Sequence, residues 1–535
     1  MTDTADTITD GAVQVLEQLR LTRSDAGDTL ADALARAGFH RCDDALPDCD
    51  AAGWRGTLTF TTGDQSDGAG VRTRVTVVDV VVPEEYPFRA PKIYPGTRVW
   101  AEVATRRAFG EEYYEPNRGW HREQDLAMCL FDNADHTRLP WADGSRMLEQ
   151  ASAWLAADAA GWSDDAPALD LDRYLPAAAE QRVLLYGPLD GHDGAILRCR
   201  PKANGVLRLT GPAPQHRSGR KSGTRHWGPD AIRITAVGEL IAPIRGWDDL
   251  CAVVGPDTTH ALTRAHAASL DRVLLTYTRR GVPAVLALQL ASGPDRTVVL
   301  QALKSAPDDR TTRVIRAGRD ATDLAECRVA VIGAGAVGSA VADLLHRSGV
   351  GKLHLVDADR LLPGNTTRHL LGEAAIGLPK AAAVAAALSA ARPLHGQVSA
   401  QTGWLLTATD AVRFFVANDV VVDATADSSA TALLTNAARA GAGQLLSVAV
   451  LADGYAVRVD RTPTPDGQPP LPEPQLPPAD PAVFEAGCGS PVSTTPPWAV
   501  WEAAALATRH TIGLLTTPGS VPAGEERILT FGGDQ

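Results

Sequence analysis

Two of the seven cysteines in this 535-residue chain sit in surroundings that suit a nucleophile. Cys129 lies in WHREQDLAMCLFDN, residues 120–133, on an expected short apolar strand preceded by polar residues and by His121. Cys488 lies in FEAGCGSPVSTTPPW, between Gly487 and Gly489, after a proline-rich stretch and before the helical run WAVWEAAALATRH. Small neighbours leave that sulfur accessible, and a helix starting just beyond it favours the reactive thiolate. Free cysteine is otherwise a buried small hydrophobe, so the rest of the chain decides the role. Cys327 starts an apolar strand and reads as core.

A second centre of chemistry begins at that strand. CRVAVIGAGAVGSAVADLLHRSGVGKLHLVDAD, residues 327–359, reads as strand, glycine turn, helix and second strand. Gly333, Gly335 and Gly338 permit a tight turn and let backbone approach a phosphate at the positive end of the helix. Asp357, ending the second strand, suits a ribose hydroxyl. Asn365 and Arg368 follow in PGNTTRH, Lys380 opens an Ala-rich helix, and Asp423 ends the strand of VVVDATAD. Two cations and an amide beside the phosphates suit a triphosphate attacked by a carboxylate, with pyrophosphate leaving and an aspartate holding magnesium. A dinucleotide dehydrogenase has no use for them.

This ordered set, with the pair Asp357 and Asp359, resembles the adenylation domain of ubiquitin-activating enzymes and their bacterial ThiF and MoeB relatives over about residues 327–460. The resemblance implies that ATP and Mg2+ are used. Asp357 would bind ribose, Asn365, Arg368 and Lys380 would contact phosphates, and Asp423 would be the magnesium ligand. It also implies a homodimer in which an arginine, Arg310 or Arg313, acts in trans. Many relatives hold zinc with two C-x-x-C pairs, which this sequence lacks, so zinc is not expected. An activating enzyme of this kind passes its acyl adenylate to a cysteine of its own, for which Cys488 is placed.

Residues 54–162 resemble the ubiquitin-conjugating fold through W-x-G-x-L-x-F at Trp54, then Pro83, Tyr86, Pro87, Phe88 and Pro91, then Cys129, Trp141 and a helix. In that reading Cys129 carries an acyl thioester for attack by an amine. Eukaryotic members have a His-Pro-Asn triplet whose Asn supports the oxyanion. Here His121 falls at that place, able to donate a hydrogen bond or to orient the amine, or equally to serve as a structural histidine, and Asn117 is a weaker alternative.

The elements that must position these groups exceed one core, which stops growing at roughly 250–300 residues. A ubiquitin-conjugating-like α+β domain over 1–164, a strand-rich linker domain over 165–320 and a doubly wound α/β adenylation domain over 321–535 are expected. Residues 463–481 hold nine prolines and read as a stiff extended spacer. A net charge of -13 opposes general nucleic-acid binding. Widely spaced cysteines, a polar N-terminus and no bilayer-length apolar run place the protein in the cytoplasm, off the membrane. Fusions in this order resemble the ligase component of bacterial CBASS antiphage systems. That family joins the C-terminus of a cGAS-like nucleotidyltransferase to a target amine. A sulfur-carrier adenylyltransferase with a docking module at its N-terminus, or a nucleotide sensor without chemistry, are the rival readings.

Overall fold

The computed structural model describes the chain outside residues 1–9, 43–51, 64–70, 97–106, 117–118, 132–138, 163–168, 203, 214, 218–224, 229, 295–296, 392–393, 395, 406, 479–482, 485–490 and 530–535. Cys488 and Asn117 therefore lie outside the described residues. Two compact units are present, Met1–Pro307 and Asp308–Gln535.

The first unit starts with helix α1 (Asp10–Arg36) and an antiparallel sheet in the order β1 (His40–Arg41), β2 (Ala52–Thr62), β3 (Arg72–Val82), β4 (Lys92–Pro95). Along β2, Gly56, Leu58 and Phe60 are buried while Thr57, Thr59 and Thr61 are exposed, the period-two signature of a half-covered sheet. Helix α2 (Gly144–Ala160) is capped by Asp143, whose carboxylate accepts from the Ser145 and Arg146 amides. Its buried stripe of Met147, Leu148, Ala151, Trp154 and Leu155 recurs at helical spacing and closes one core with Leu30, Leu34, Val78, Val80 and Ile93. The proline and aromatic segment is fastened to the turn before α2. Tyr86 Oη donates to the carbonyls of Trp141 and Ala142, both at 3.2 Å, and the Trp141 indole N–H donates to the Pro87 carbonyl at 2.7 Å.

The remainder of this unit is one mixed sheet with a helix packed on it. Its strands are β5 (Val183–Tyr186), β6 (Ile196–Lys202), β7 (Val206–Pro212), β10 (Ala231–Glu239), β11 (Arg272–Arg279), β12 (Val282–Ser292), β13 (Val298–Ala302) and β14 (Ser305–Pro307). They run β13-β12-β11-β10-β6-β7-β5-β14, with the small hairpin β8 (Gln215–Arg217) and β9 (Arg225–Trp227) apart. Helix α3 (Trp247–Ala267) bends at Gly255, ahead of Pro256, and buries Leu250 and Leu262.

The second unit opens with α4 (Arg310–Ala317) and builds a seven-stranded sheet, β17-β16-β15-β18-β19-β20-β23. The strands are β15 (Arg328–Ile332), β16 (Lys352–Val356), β17 (Gln397–Gln401), β18 (Val420–Asp423), β19 (Gln444–Leu451), β20 (Ala456–Thr462) and β23 (Gly524–Ile528). From β17 to β19 neighbours are parallel, and β20 and β23 add antiparallel. Helices α5 (Ala336–Ser348), α6 (Lys380–Ala391) and α9 (Pro497–Thr516) contribute to one core, and α7 (Ala408–Ala417) and α8 (Ser428–Arg439) to another. In β15, Val329 and Val331 belong to the first core while Ala330 and Ile332 belong to the second, which explains why the strand is apolar from Val329 on. This is the expected doubly wound α/β fold, and the strand order reverses between β15 and β18.

Two sequence expectations change. Cys129 lies on no ladder: a single bridge joins Arg122 to Met128, because Leu126 adopts φ 72° and folds the chain back at once. Among the described residues 463–478 no helix or strand forms, yet the stretch is anchored rather than a free spacer. Arg458 donates to the Pro472 carbonyl at 2.7 Å, and Leu471 packs so closely on Gly524 that a Cβ there would lie 2.8 Å from Leu471 Cδ1. The short pair β21 (Val483–Phe484) and β22 (Pro491–Val492) follows.

Tyr86→Phe leaves two main-chain carbonyls without their donor and is expected to cost about 1 kcal/mol, lowering the melting temperature by about 2 °C. Calorimetry that finds no loss would show that the Tyr86 hydroxyl does not help to hold the segment.

Candidate functional site

The strand reversal is where the glycine turn sits. Gly333 has φ +91°, and a Cβ on it would lie 2.6 Å from the Ala424 carbonyl oxygen. A Cβ on Gly338 would lie 1.8 Å from the Gly333 carbonyl oxygen. Both glycines exist so that backbone can touch backbone. Gly335 differs: it is the N-cap of α5, bears no capping side chain, and an added Cβ would meet no protein atom within 4 Å. The open space lies at the positive end of a helix whose first amides have no side-chain acceptor, which is what a phosphate requires.

Asp357 and a residue that sequence reasoning did not single out hold this turn. Asp357 Oδ2 accepts from the Ala334 amide at 2.7 Å and its Oδ1 accepts from the Asp359 amide at 2.7 Å. Each oxygen keeps a lone pair, so the carboxylate can brace the turn and still accept a ribose hydroxyl. His369 Nε2 donates to the Ala334 carbonyl at 2.9 Å, while Nδ1 accepts from the Leu371 amide at 3.1 Å. Those two partners assign the proton to Nε2 of a neutral ring. Burial pushes its pKa down, as does Lys380, against the opposing hydrogen bond to Ala334. The available signal was position, since His369 directly follows Arg368.

The expected phosphate ligands are partly engaged already. Lys380 opens α6, and its Nζ lies 2.9 Å from Asp359 Oδ2, so the second Asp of the pair orients the cation. Asn365 Oδ1 accepts from the Leu362 amide at 3.0 Å and caps a short turn, which leaves its amide N–H groups for a ligand. Asp423 is buried at the end of β18, its Oδ1 accepting from Thr425 N and Oγ1 at 3.1 and 2.7 Å and its Oδ2 from Thr431 Oγ1 at 2.6 Å. Among the described residues no group of three or more His, Cys, Asp or Glu could hold a metal ion. Magnesium fits such a place as an ion held by one carboxylate, ligand phosphates and water, through the lone pair left on Oδ2.

Arg368 points to a different partner. Its Nη1 donates to the Ser493 carbonyl at 2.8 Å, to Ser493 Oγ at 3.3 Å and to the Thr495 carbonyl at 3.2 Å. Asp453 fastens the same segment by accepting from the Thr494 amide at 2.9 Å and Ser493 Oγ at 3.2 Å. Val483 pairs with Val492 and Phe484 with Pro491, so the two ends of the stretch containing Cys488 are brought together. Arg313 of α4 pairs with Asp308, which precedes the helix, and Arg310 is exposed. Cys327, beside Asp419, has its pKa raised chiefly by burial.

In the first unit, Cys129 is partly exposed and set by its backbone. The Met128 amide donates to the Ile93 carbonyl at 2.7 Å and the Cys129 amide to the His121 carbonyl at 2.9 Å. Arg122 and Met128 are buried, so His121 and Cys129, one residue along on each side, turn to the outer face. The His121 ring stacks on Trp162 at 3.7 Å and lines a cavity of about 610 Å3 with Trp120, Asp158, Ile241 and Arg279. The connection between β10 and α3 buttresses this turn. Trp120 Nε1 donates to the Ile241 carbonyl at 3.1 Å, and Arg245 donates to the carbonyls of Glu123 and Gly119 at 2.9 and 3.1 Å. Arg173, also unforeseen, donates from Nη2 to Cys129 Sγ at 3.3 Å. Cys199, by contrast, is sealed in β6, and burial pushes its pKa up to about 11.

Gly335→Ala is expected to leave thermal stability unchanged and to weaken ATP binding by about 10-fold, whereas Gly338→Ala costs about 3 kcal/mol of stability. Calorimetric titration and melting curves separate the two; equal effects would contradict the division of labour. Below pH about 6.5 the unfolded chain takes up a proton that folded His369 refuses, so stability falls as the pH drops. His346 and His354 share that direction, so His369→Gln should flatten only part of the slope in acid melting curves.

Residues 309–481 match the ThiF family. A stretch of the chain is 34% identical over 122 residues to the ATP-dependent ubiquitin transferase-like protein Cap2 of Enterobacter hormaechei, covering 23% of this chain and 20% of that protein. Another is 32% identical over 139 residues to ubiquitin-like modifier-activating enzyme 5 of Drosophila sechellia, covering 25% of this chain and 34% of that one. The matched stretches thus span about a fifth to a third of these relatives' length. Among solved structures, E. coli MccB with MccA-N7isoASN is 18% identical with a TM-score of 0.29, covering 38% of this chain and 60% of that one. The stretch 309–481 of the second unit, whose doubly wound sheet holds the glycine turn at its strand reversal, is thus similar to the ThiF family.

Proposed function

We propose that this chain is an ATP-dependent ubiquitin-like ligase. It adenylates the C-terminus of a protein, carries that acyl group as a thioester on Cys488 and then on Cys129, and conjugates it to a target amine. The observation that carries the reading is the convergence on the glycine turn of Asp357, His369, the Lys380–Asp359 pair and Asp423, with Arg368 holding the chain just past Cys488. An arginine expected at the phosphates that instead holds residues 493–495, beyond the cysteine, supports a physical connection between the two steps.

The Gly335 amide end of α5 binds the phosphates, Asp357 orients the ribose, and Lys380, with Arg368 when it exchanges partners, offsets the charge of departing pyrophosphate. Asp423 would hold magnesium, which supplies charge neutralisation on the phosphates. The acceptor thiolate attacks the acyl carbon, a C–S bond forms and AMP leaves. Placing both sulfurs in one polypeptide raises their effective concentration for the second transfer. The division into domains 1–164, 165–320 and 321–535, action as a cytoplasmic homodimer with Arg310 or Arg313 acting in trans, and a cGAS-like nucleotidyltransferase as the acyl donor in antiphage defence belong to the same proposal. The similarity to Cap2 supports the ligase class. No helix among the described residues is long and apolar enough to cross a membrane.

Cys488→Ser is expected to leave ATP:pyrophosphate exchange intact and to abolish the reductant-sensitive adduct on both cysteines, while Cys129→Ala stops only the second transfer. Gel shift with and without reductant, in the presence of the acyl-donor protein, checks both. Conjugation untouched by Cys129→Ala would replace the ligase reading with that of an adenylyltransferase whose first unit only docks its substrate.

A further inference from the structure

The sulfur of Cys129 has a cationic partner contributed by a distant part of the first unit. Arg173 belongs to the short helical turn Leu171–Tyr174, whose Leu171 and Tyr174 are buried at 1% and 2% exposure. Tyr174 Oη donates to the Trp120 carbonyl, tying that turn to the loop ahead of Cys129. The guanidinium is therefore delivered from a fixed base. Its Nη2 lies 3.3 Å from Cys129 Sγ and 3.4 Å from Glu123 Oε1, and its Nη1 lies 3.6 Å from Asp170 Oδ2. Arg245 reaches the same ring of Tyr174, with its guanidinium carbon 4.5 Å from the centroid, while that of Arg173 lies 5.3 Å away. The His121 ring, at the place of the family's oxyanion Asn, is stacked on Trp162 instead.

We infer that Arg173 is the charge partner of the Cys129 sulfur, holding it as an anion when it accepts the acyl group and again when it releases it. The inference rests on the thioester reading for its functional meaning, but its geometry stands by itself. In the first transfer the Cys129 thiolate attacks the thioester carbonyl carbon. A C–S bond forms, the bond to the donor cysteine breaks, and that sulfur departs as a thiolate, with no net proton change. In the second, the amine nitrogen forms the C–N bond, the Cys129 C–S bond breaks, and the leaving thiolate returns to Arg173 as the amine proton passes to water. Arginine stays protonated throughout, so it supplies charge without giving up a proton. Glu123 competes for the same guanidinium and tempers the effect; Asp170 acts in the same sense from the other nitrogen, whereas Arg245 adds positive charge nearby.

The test is the rate of Cys129 alkylation by iodoacetamide in the full chain near neutral pH, followed by peptide mass. Arg173→Gln is expected to slow it about 10-fold, with Arg173→Lys recovering part of the loss. Glu123→Gln is expected to act in the opposite sense, and it decides the matter should Arg173→Gln fail to fold. Rates for Arg173→Gln or Glu123→Gln that equal the wild type's would overturn the inference. A changed rate in a protein that never forms an adduct on Cys129 would leave the Arg173 pairing standing and remove the ligase reading.

Discussion

Ala334 is bonded at both of its polar ends by side chains from outside its own turn, its amide by Asp357 and its carbonyl by His369. Everything around the nucleotide site depends on that clamp. The turn can close only because Gly338 leaves room for the Gly333 carbonyl, and once closed it fixes the direction in which the α5 amides point. The same two side chains register β16 and the Asn365–His369 stretch against β15. Asp359, two residues past Asp357, then places Lys380. A neutral His369 is part of the design, because a proton on Nδ1 would confront the Leu371 amide donor.

The cysteine of the first unit is organised by similar means, from remote elements that seize main-chain atoms beside the reactive group. Trp120, Tyr174 and Arg245 fix the carbonyls and rings of residues 119–123, and those residues fix the Cys129 amide. The segments that flank the large sheet thus gain a function beyond linking: the turn Leu171–Tyr174 and the connection from β10 to α3 supply the cations against which Cys129 is presented. Partial exposure and a guanidinium partner distinguish this sulfur from Cys199, whose burial keeps it a thiol.

What was legible in the sequence was local. The β15–α5–β16 unit could be read because apolar runs, three glycines and an aspartate lie within a few turns of one another, and each has one physical use. The helix after Trp141 was legible for the same reason, while its Asp143 cap was not singled out. The contacts that finish both sites were not. Arg173 and Cys129 are 44 residues apart, Arg368 and Ser493 are 125 apart, and nothing in composition links them. His369 was hidden because a histidine used for hydrogen bonds to backbone alone leaves no pattern. The expected strand at Cys129 failed because apolarity marked burial correctly, while the positive φ of Leu126 turned the chain after a single bridge. The proline-rich run was read as a spacer from composition alone, and Arg458 and Gly524 show how a chain without secondary structure is still tied down.

The central claim is an ordered relay through two sulfurs of one chain. Its most direct measurement is a single-turnover experiment with ATP and the acyl-donor protein, quenched at intervals and digested without reductant, in which mass spectrometry follows the acyl group on each cysteine peptide. The account predicts an adduct on the Cys488 peptide first, its decay matched by growth on the Cys129 peptide, and then loss from Cys129 as amide product appears. Amide product forming while either peptide stays unmodified throughout would contradict it.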